Sequence, residues 1–145
     1  MSESPITESV IEDYINRTFD GVETAVNLGY TFFFYRSDHM LPFATIASTG
    51  NEYERISDLD RPGVFRLNIG VSRSTFESMF GAGKVDLGSY DFTALDVIMP
   101  HPDYSNQHFI CVLSPGAATF EHIRPMLAEA YDIAARRNAR RSKQT

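Results

Sequence analysis

The chain has one cysteine, Cys111, in 145 residues. No intramolecular disulfide framework can form, and a reducing, cytoplasmic compartment is expected. No apolar run comes near the ~18 residues of a membrane span. The opening MSESPITE has neither a basic n-region nor an apolar core, so it does not read as a signal peptide and no membrane partner is expected. Basic charge is also scarce through most of the chain. Five of the thirteen Lys and Arg residues lie between Arg136 and Lys143, and all nineteen acids precede them. The eight other basic residues are scattered among those acids, so no continuous basic stripe for nucleic acid is expected. The basic C-terminus has a simpler role as a counterweight to the negative end of a helix dipole.

The familiar catalytic signatures are missing too. Gly83-Lys84 sits in GAGK, but a phosphate loop needs glycine five places before Gly83 and Ser or Thr after the lysine. Those positions hold Ser78 and Val85. The four histidines, His39, His101, His108 and His122, include no i, i+4 pair, and the lone cysteine has no partner, so no metal site is expected. His101 and His108 could still converge through a loop, with Asp103 nearby. No G-x-S-x-G elbow occurs, and Ser114 precedes Pro115-Gly116, an ordinary turn. Cys111 lies mid-strand between Ile110 and Val112 and reads as core rather than nucleophile. No catalytic residue and no cofactor is assigned, and the balance is against an enzyme.

What is present is a strong fold signal, centred on Val64 to Phe80. Phe65, Leu67 and Ile69 alternate with Arg66, Asn68 and Gly70, the period of a half-buried strand. Phe76, Met79 and Phe80 then fall on one face of a short helix. Ser72 or Ser74 can cap it, Ser74 with Glu77 as a capping box, and Gly81 supplies the stop. Before this unit, a helix is predicted from Glu8 to Phe19, capped by Thr7. Strands follow over 22–27, 30–36 and 43–49, close enough in sequence to be antiparallel neighbours. The turn-rich stretch 50–62 leads into the central strand. Segment 93–99 reads equally as extended chain or one helical turn.

FICVL, from Phe109 to Leu113, reads as a strand buried on both faces. A final helix ends near Arg137, with Ile123, Leu127, Ala130, Tyr131 and Ala134 as its apolar stripe. Pro125 either kinks that helix or opens its main part after a separate turn. The order predicts a single α+β domain over residues 1–145, with one mainly antiparallel sheet and helices packed on one face. Residues 1–6 and 138–145 are expected to be loose or frayed.

The segments TFFFY, DLDRPGVFRLNIGVSRSTFESMFG, DFTALDVIMPHPDY and ATFEHIRPMLAEAYDIAARR resemble a bacterial domain-of-unknown-function family over nearly the whole chain. More remotely, IGVSRSTFESMF, MPHPDY, NQHFICV and LAEAYDIA resemble the MmcQ/YjbR group. That resemblance implies a compact α+β fold of the double-wing type, and a DNA-binding role inferred from fold alone. Asn106-Gln107-His108-Phe109 departs from the more basic run that the remote group carries at this strand start.

Arg66 and Asn68 are the polar residues of greatest interest, because they share one face of the central strand. If the loop 99–108 folds over that face, Arg66, Asn68, His101 and Tyr104 would line a small anion-accepting pocket. Alternatively, Arg66 pairs with Asp58 or Asp60 and pins the 50–62 loop. Three functional readings follow. The first is a non-enzymatic module that binds a protein partner or a small ligand. The second is a pocket at those four residues for an anion or small molecule, and the third is DNA binding through the remote resemblance. Clustering of the four side chains around a concave site favours the second.

Overall fold

The computed structural model describes residues 6–48 and 56–143. Thr7 caps the first helix, α1 (Glu8–Thr18), its hydroxyl accepting from Val10 N at 3.3 Å, with Glu8 in the first turn where the helix dipole favours an acid. Six strands form one sheet: β1 (Val22–Asn27), β2 (Tyr30–Tyr35), β3 (Ala44–Ala47), β4 (Arg66–Gly70), β5 (Met99–Pro100) and β6 (Phe109–Leu113). Their spatial order is β1-β2-β3-β4-β6-β5, and every pairing is antiparallel. Helix α2 (Arg73–Phe80) follows β4 at once, and α3 (Ala117–Lys143) closes the chain. This is the expected α+β class, with a central strand feeding a helix through a two-residue turn.

Register divides the sheet into two unlike faces. Phe33, Ala44, Ile69 and Ile110 lie across from one another in successive strands, as do Thr31, Ile46, Leu67 and Val112. These face the helices, where Ile11, Ile15, Phe76, Ile123 and Leu127 complete the main core. Phe65, Leu67, Ile69, Phe76, Ile110, Val112 and Leu127 are all buried in it, with Phe80 and Tyr131 packed against it. The alternate residues Phe32, Thr45, Asn68 and Cys111 lie on the opposite face. Part of that face carries a second core of Ala47, Leu59, Val64, Phe92, Met99, Cys111 and Leu113. Cys111 is fully buried there, which suits a thiol acting as a small apolar group.

Several local expectations change. Ser72, not Ser74, caps α2, accepting from Thr75 N at 3.1 Å; Ser74 lies inside the helix. Ser72 N and the Thr75 hydroxyl are in turn held by Glu129 of α3, at 2.6 and 2.9 Å. Phe43 precedes β3 and sends its ring to the helix side, against Phe19 and Tyr131, instead of sharing a face with Thr45 and Ala47. Segment 93–99 is extended, with Leu95 bridged to Leu113 and Met99 in β5.

Helix α3 is continuous through Pro125, which costs one backbone hydrogen bond. It also runs past the expected end near Arg137 to Lys143. Its last turns are tied to the β2–β3 turn, since Asn138 and Arg141 both donate to the Asp38 carboxylate. Burial pushes that carboxyl up, but hydrogen bonds from Met40 N and Asn138 and the Arg141 guanidinium outweigh it and hold it below the usual range. The expected fraying of 1–5 and 144–145, and the turn-rich reading of 49–55, fall outside the described residues.

Leu67 is fully buried at the centre of the main core. Leu67→Ala should therefore cost about 2–5 kcal/mol in urea unfolding, as buried leucines do. A loss within ~0.5 kcal/mol, the size of a surface change, would contradict the strand register.

Candidate functional site

Arg66 and Asn68 are two residues apart on β4, so both project from the face away from the helices. Asn68 pairs in register with Thr45 of β3. The three form a chain of hydrogen bonds. Arg66 Nε donates to Asn68 Oδ1 at 2.9 Å, and Asn68 Nδ2 donates to Thr45 Oγ1 at 2.9 Å. Arg66 also donates from Nη1 to Ser57 Oγ at 3.0 Å. Arg66 is 1% exposed and Ser57 is fully buried. A buried guanidinium survives only when its N–H groups are met, and this chain meets them.

The expected pinning of the 50–62 loop through an Arg66–Asp58 pair takes another form. Asp58 pairs with Arg61 at 3.6 Å. Arg61 also donates to the carbonyls of Ser57, Asp58 and Thr93, at 3.0, 2.9 and 2.9 Å. Arg61 thus fastens that loop to the following one, and Arg66 reaches it through Ser57.

A second wall comes from the segment after β5. His101 N donates to Phe109 O at 2.9 Å, prolonging the β5–β6 ladder by one residue and aiming the imidazole to the same face as Asn68. The order His-Pro-Asp-Tyr then matters. Pro102 has no N–H, so the first amides available are those of Asp103 and Tyr104. Both donate to His101 Nδ1, at 3.0 and 3.1 Å. Two donors on Nδ1 leave the ring proton to Nε2. Burial pushes the imidazole pKa down, and the Arg66 guanidinium pushes it further, to about 3. His101 is therefore a neutral ring presenting a hydrogen-bond donor, and a poor general base.

Aromatic side chains complete the enclosure. Tyr30 and Phe32 of β2 stack with centroids 5.9 Å apart, and the strip continues through Phe34 to His39. Opposite them stand Tyr104, 4.9 Å from His101, and Phe109, 6.3 Å from Tyr104. Phe109 needs Gly70 beneath it, since a Cβ there would meet its ring at 3.0 Å. Together with Leu41, Pro42, Asp103 and Gln107 at the mouth, these groups enclose a cavity of about 500 Å³. Ligand sites commonly fall between roughly 300 and 1,000 Å³.

Arg66, Asn68, His101 and Tyr104 all line this one cavity. Arg66, Asn68 and His101 are buried, while Tyr104 is 56% exposed and stands at the mouth. His108 does not join His101. It takes a left-handed backbone (φ 65°) and lies 5.6 Å from the Phe76 ring, in a separate hollow with Lys84 and Arg73. Among the described residues, no three His, Cys, Asp or Glu side chains gather as a metal site.

Thr45, Ser57, Tyr30 and Phe32 were not singled out from sequence. One signal for the last two was there: Tyr30, Phe32 and Phe34 alternate with Thr31, Phe33 and Tyr35, so both faces of β2 are aromatic and neither suits bulk water.

In the C-terminal basic cluster, Arg136 pairs with Asp132 and Arg141 with Asp38. No helix among the described residues is long and apolar enough to cross a membrane. The chain belongs to a family of unknown function, DUF6194, whose model matches residues 6–143. No curated protein and no solved structure matches the chain, so the MmcQ/YjbR resemblance finds no support there.

The buried imidazole sets a pH dependence. The folded protein resists protonation of His101 down to about pH 3, whereas an unfolded histidine titrates near 6.5. Between those values the unfolded chain holds the extra proton, so stability falls as pH falls, by up to about 1.4 kcal/mol per pH unit. Urea unfolding at about pH 7.5 and about pH 5 should show a steeper loss for the wild type than for His101→Gln. Parallel profiles would mean that the ring is not buried as a neutral donor.

Proposed function

We propose that this protein is a non-enzymatic binding module, and that the cavity on the helix-free face of its sheet holds a small organic molecule. The observation that carries this reading is the mixed character of the enclosure. Aromatic and apolar side chains make the walls, and Arg66, Asn68, Thr45 and His101 converge on the floor. A mostly apolar pocket with a few convergent polar groups is the common form of a small-molecule site. An ordinary half-solvated sheet face would instead leave its polar residues in water.

Binding is favoured over catalysis by the state of the one titratable floor group suited to acid–base work. A general base works best with a pKa near the operating pH, and His101 lies far below it with Nδ1 already engaged. The buried lone cysteine and the scarcity of basic charge support a cytoplasmic protein that acts on a small molecule rather than on nucleic acid.

A fragment library screened by protein-observed NMR tests this. Aromatic fragments should shift the backbone signals of Thr45, Asn68, His101 and Phe109 together, and the best should raise the thermal midpoint. Saturation at about 100 times Kd corresponds to about 2.7 kcal/mol of added stability. A screen in which no fragment moves those signals, or in which every binder maps to another surface, would overturn the reading.

A further inference from the structure

The floor of the cavity carries its hydrogen-bonding capacity almost entirely as donors. His101 is 3% exposed and lines only this cavity among those found. Its Nδ1 accepts two amide N–H groups, which fixes the proton on Nε2, and among the described residues Nε2 has no partner. A buried donor left unmet costs about 1–3 kcal/mol, so an acceptor is wanted there. Asn68 Oδ1 is occupied by Arg66 Nε, and one of its two amide N–H groups goes to Thr45. What Asn68 has left to offer is again chiefly a donor. The Arg66 guanidinium adds positive charge beside both, whatever else it contacts. The one carboxylate among the lining residues is Asp103, which is exposed at the mouth.

A cationic group entering the floor would meet donors and a guanidinium and find no acceptor. A purely apolar ligand would leave His101 Nε2 unmet. The walls exclude the other extreme. Tyr30 and Phe32 offer flat ring surface on one side and Phe109 on the other, which a small inorganic anion could not fill.

We infer that the cavity selects an aromatic carboxylate, its ring held between the β2 aromatic strip and Phe109 and its carboxylate turned inward to His101 Nε2, Asn68 and Arg66. This rests on the proposed binding role and specifies its ligand class. Asp103 at the mouth reinforces the orientation, since it repels an acid that enters with the carboxylate outward.

The test uses three probes of one shape on the full chain: 2-naphthoate, 2-naphthamide and 2-naphthylmethylammonium, titrated by protein-observed NMR with the imidazole ¹⁵N signals of His101 also followed. The acid should bind at least about tenfold more tightly than the amide, and the ammonium compound most weakly. The acid should also move the Nε2 signal while Nδ1 stays unprotonated. His101→Phe, which keeps a ring of similar bulk, should erase most of the preference for acid over amide.

If the amide or ammonium probe binds as tightly as the acid and maps to the cavity, the carboxylate inference is overturned while the binding role stands. If the acid binds without moving Nε2, the assigned orientation is wrong. If none of the three shifts the cavity signals, this ligand class is excluded, and the wider fragment screen alone decides the binding role.

Discussion

The guanidinium of Arg66 is buried in the middle of a β-sheet, and much of the helix-free face follows from keeping it there. A charge in that position needs hydrogen bonds on its own plane and above it. Asn68, two residues along the same strand, supplies one acceptor, and Ser57 from the loop above supplies another. Asn68 then needs its own orientation fixed, and Thr45, directly across in register, fixes it. One charged side chain thereby sets the identity of its neighbours on β3 and β4 and the height at which the 57–64 segment crosses the sheet. That segment brings Leu59 and Val64 down onto Ala47 and Leu113, so the second core begins where the polar chain ends.

The two sheet faces also solve the burial problem differently. Helices α1, α2 and α3 cover one face with long apolar stripes, and Glu129 locks α3 to the start of α2. The other face is roofed by loops, which cannot present a continuous apolar surface. Loops carry unpaired backbone groups that need partners. Arg61 meets three carbonyls of these loops, and His101 meets two amides. The roof remains incomplete over Phe32, Thr45 and Asn68, and the opening is the cavity. Its form is thus a consequence of covering a sheet with short segments, and its chemistry is a consequence of the buried arginine.

Much of this was legible in the sequence because period-2 alternation is a local property. Phe65, Leu67 and Ile69 announced one face of β4, and Arg66 and Asn68 the other, before any partner strand was known. The meeting of those two with His101 and Tyr104 required only that the proline-bearing 99–108 segment fold back over the strand. Less legible were features set by tertiary competition. The continuity of α3 through Pro125 depends on packing of Ile123 and Leu127 on the sheet, which outweighs a lost hydrogen bond that local propensity counts heavily. Phe43 leaves the alternation of β3 because Phe19 and Tyr131 give its ring a better place. Ser57 could not have been chosen from sequence, since nothing near it in the chain marks it as an acceptor for a guanidinium. The helical extension past Arg137 depends on Asp38, about a hundred residues away in sequence, where pattern reading has no reach.

The account turns on the burial and fixed orientation of Arg66, and the ¹⁵Nε–¹Hε signal of that side chain reports both. In the folded protein near neutral pH it should appear as a sharp, well-resolved resonance. Its proton should exchange slowly with solvent and show cross-relaxation to the Asn68 side chain. A resonance that exchanges as fast as those of exposed arginines, with no contact to Asn68, would contradict the hydrogen-bonded floor and with it the chemistry assigned to the cavity.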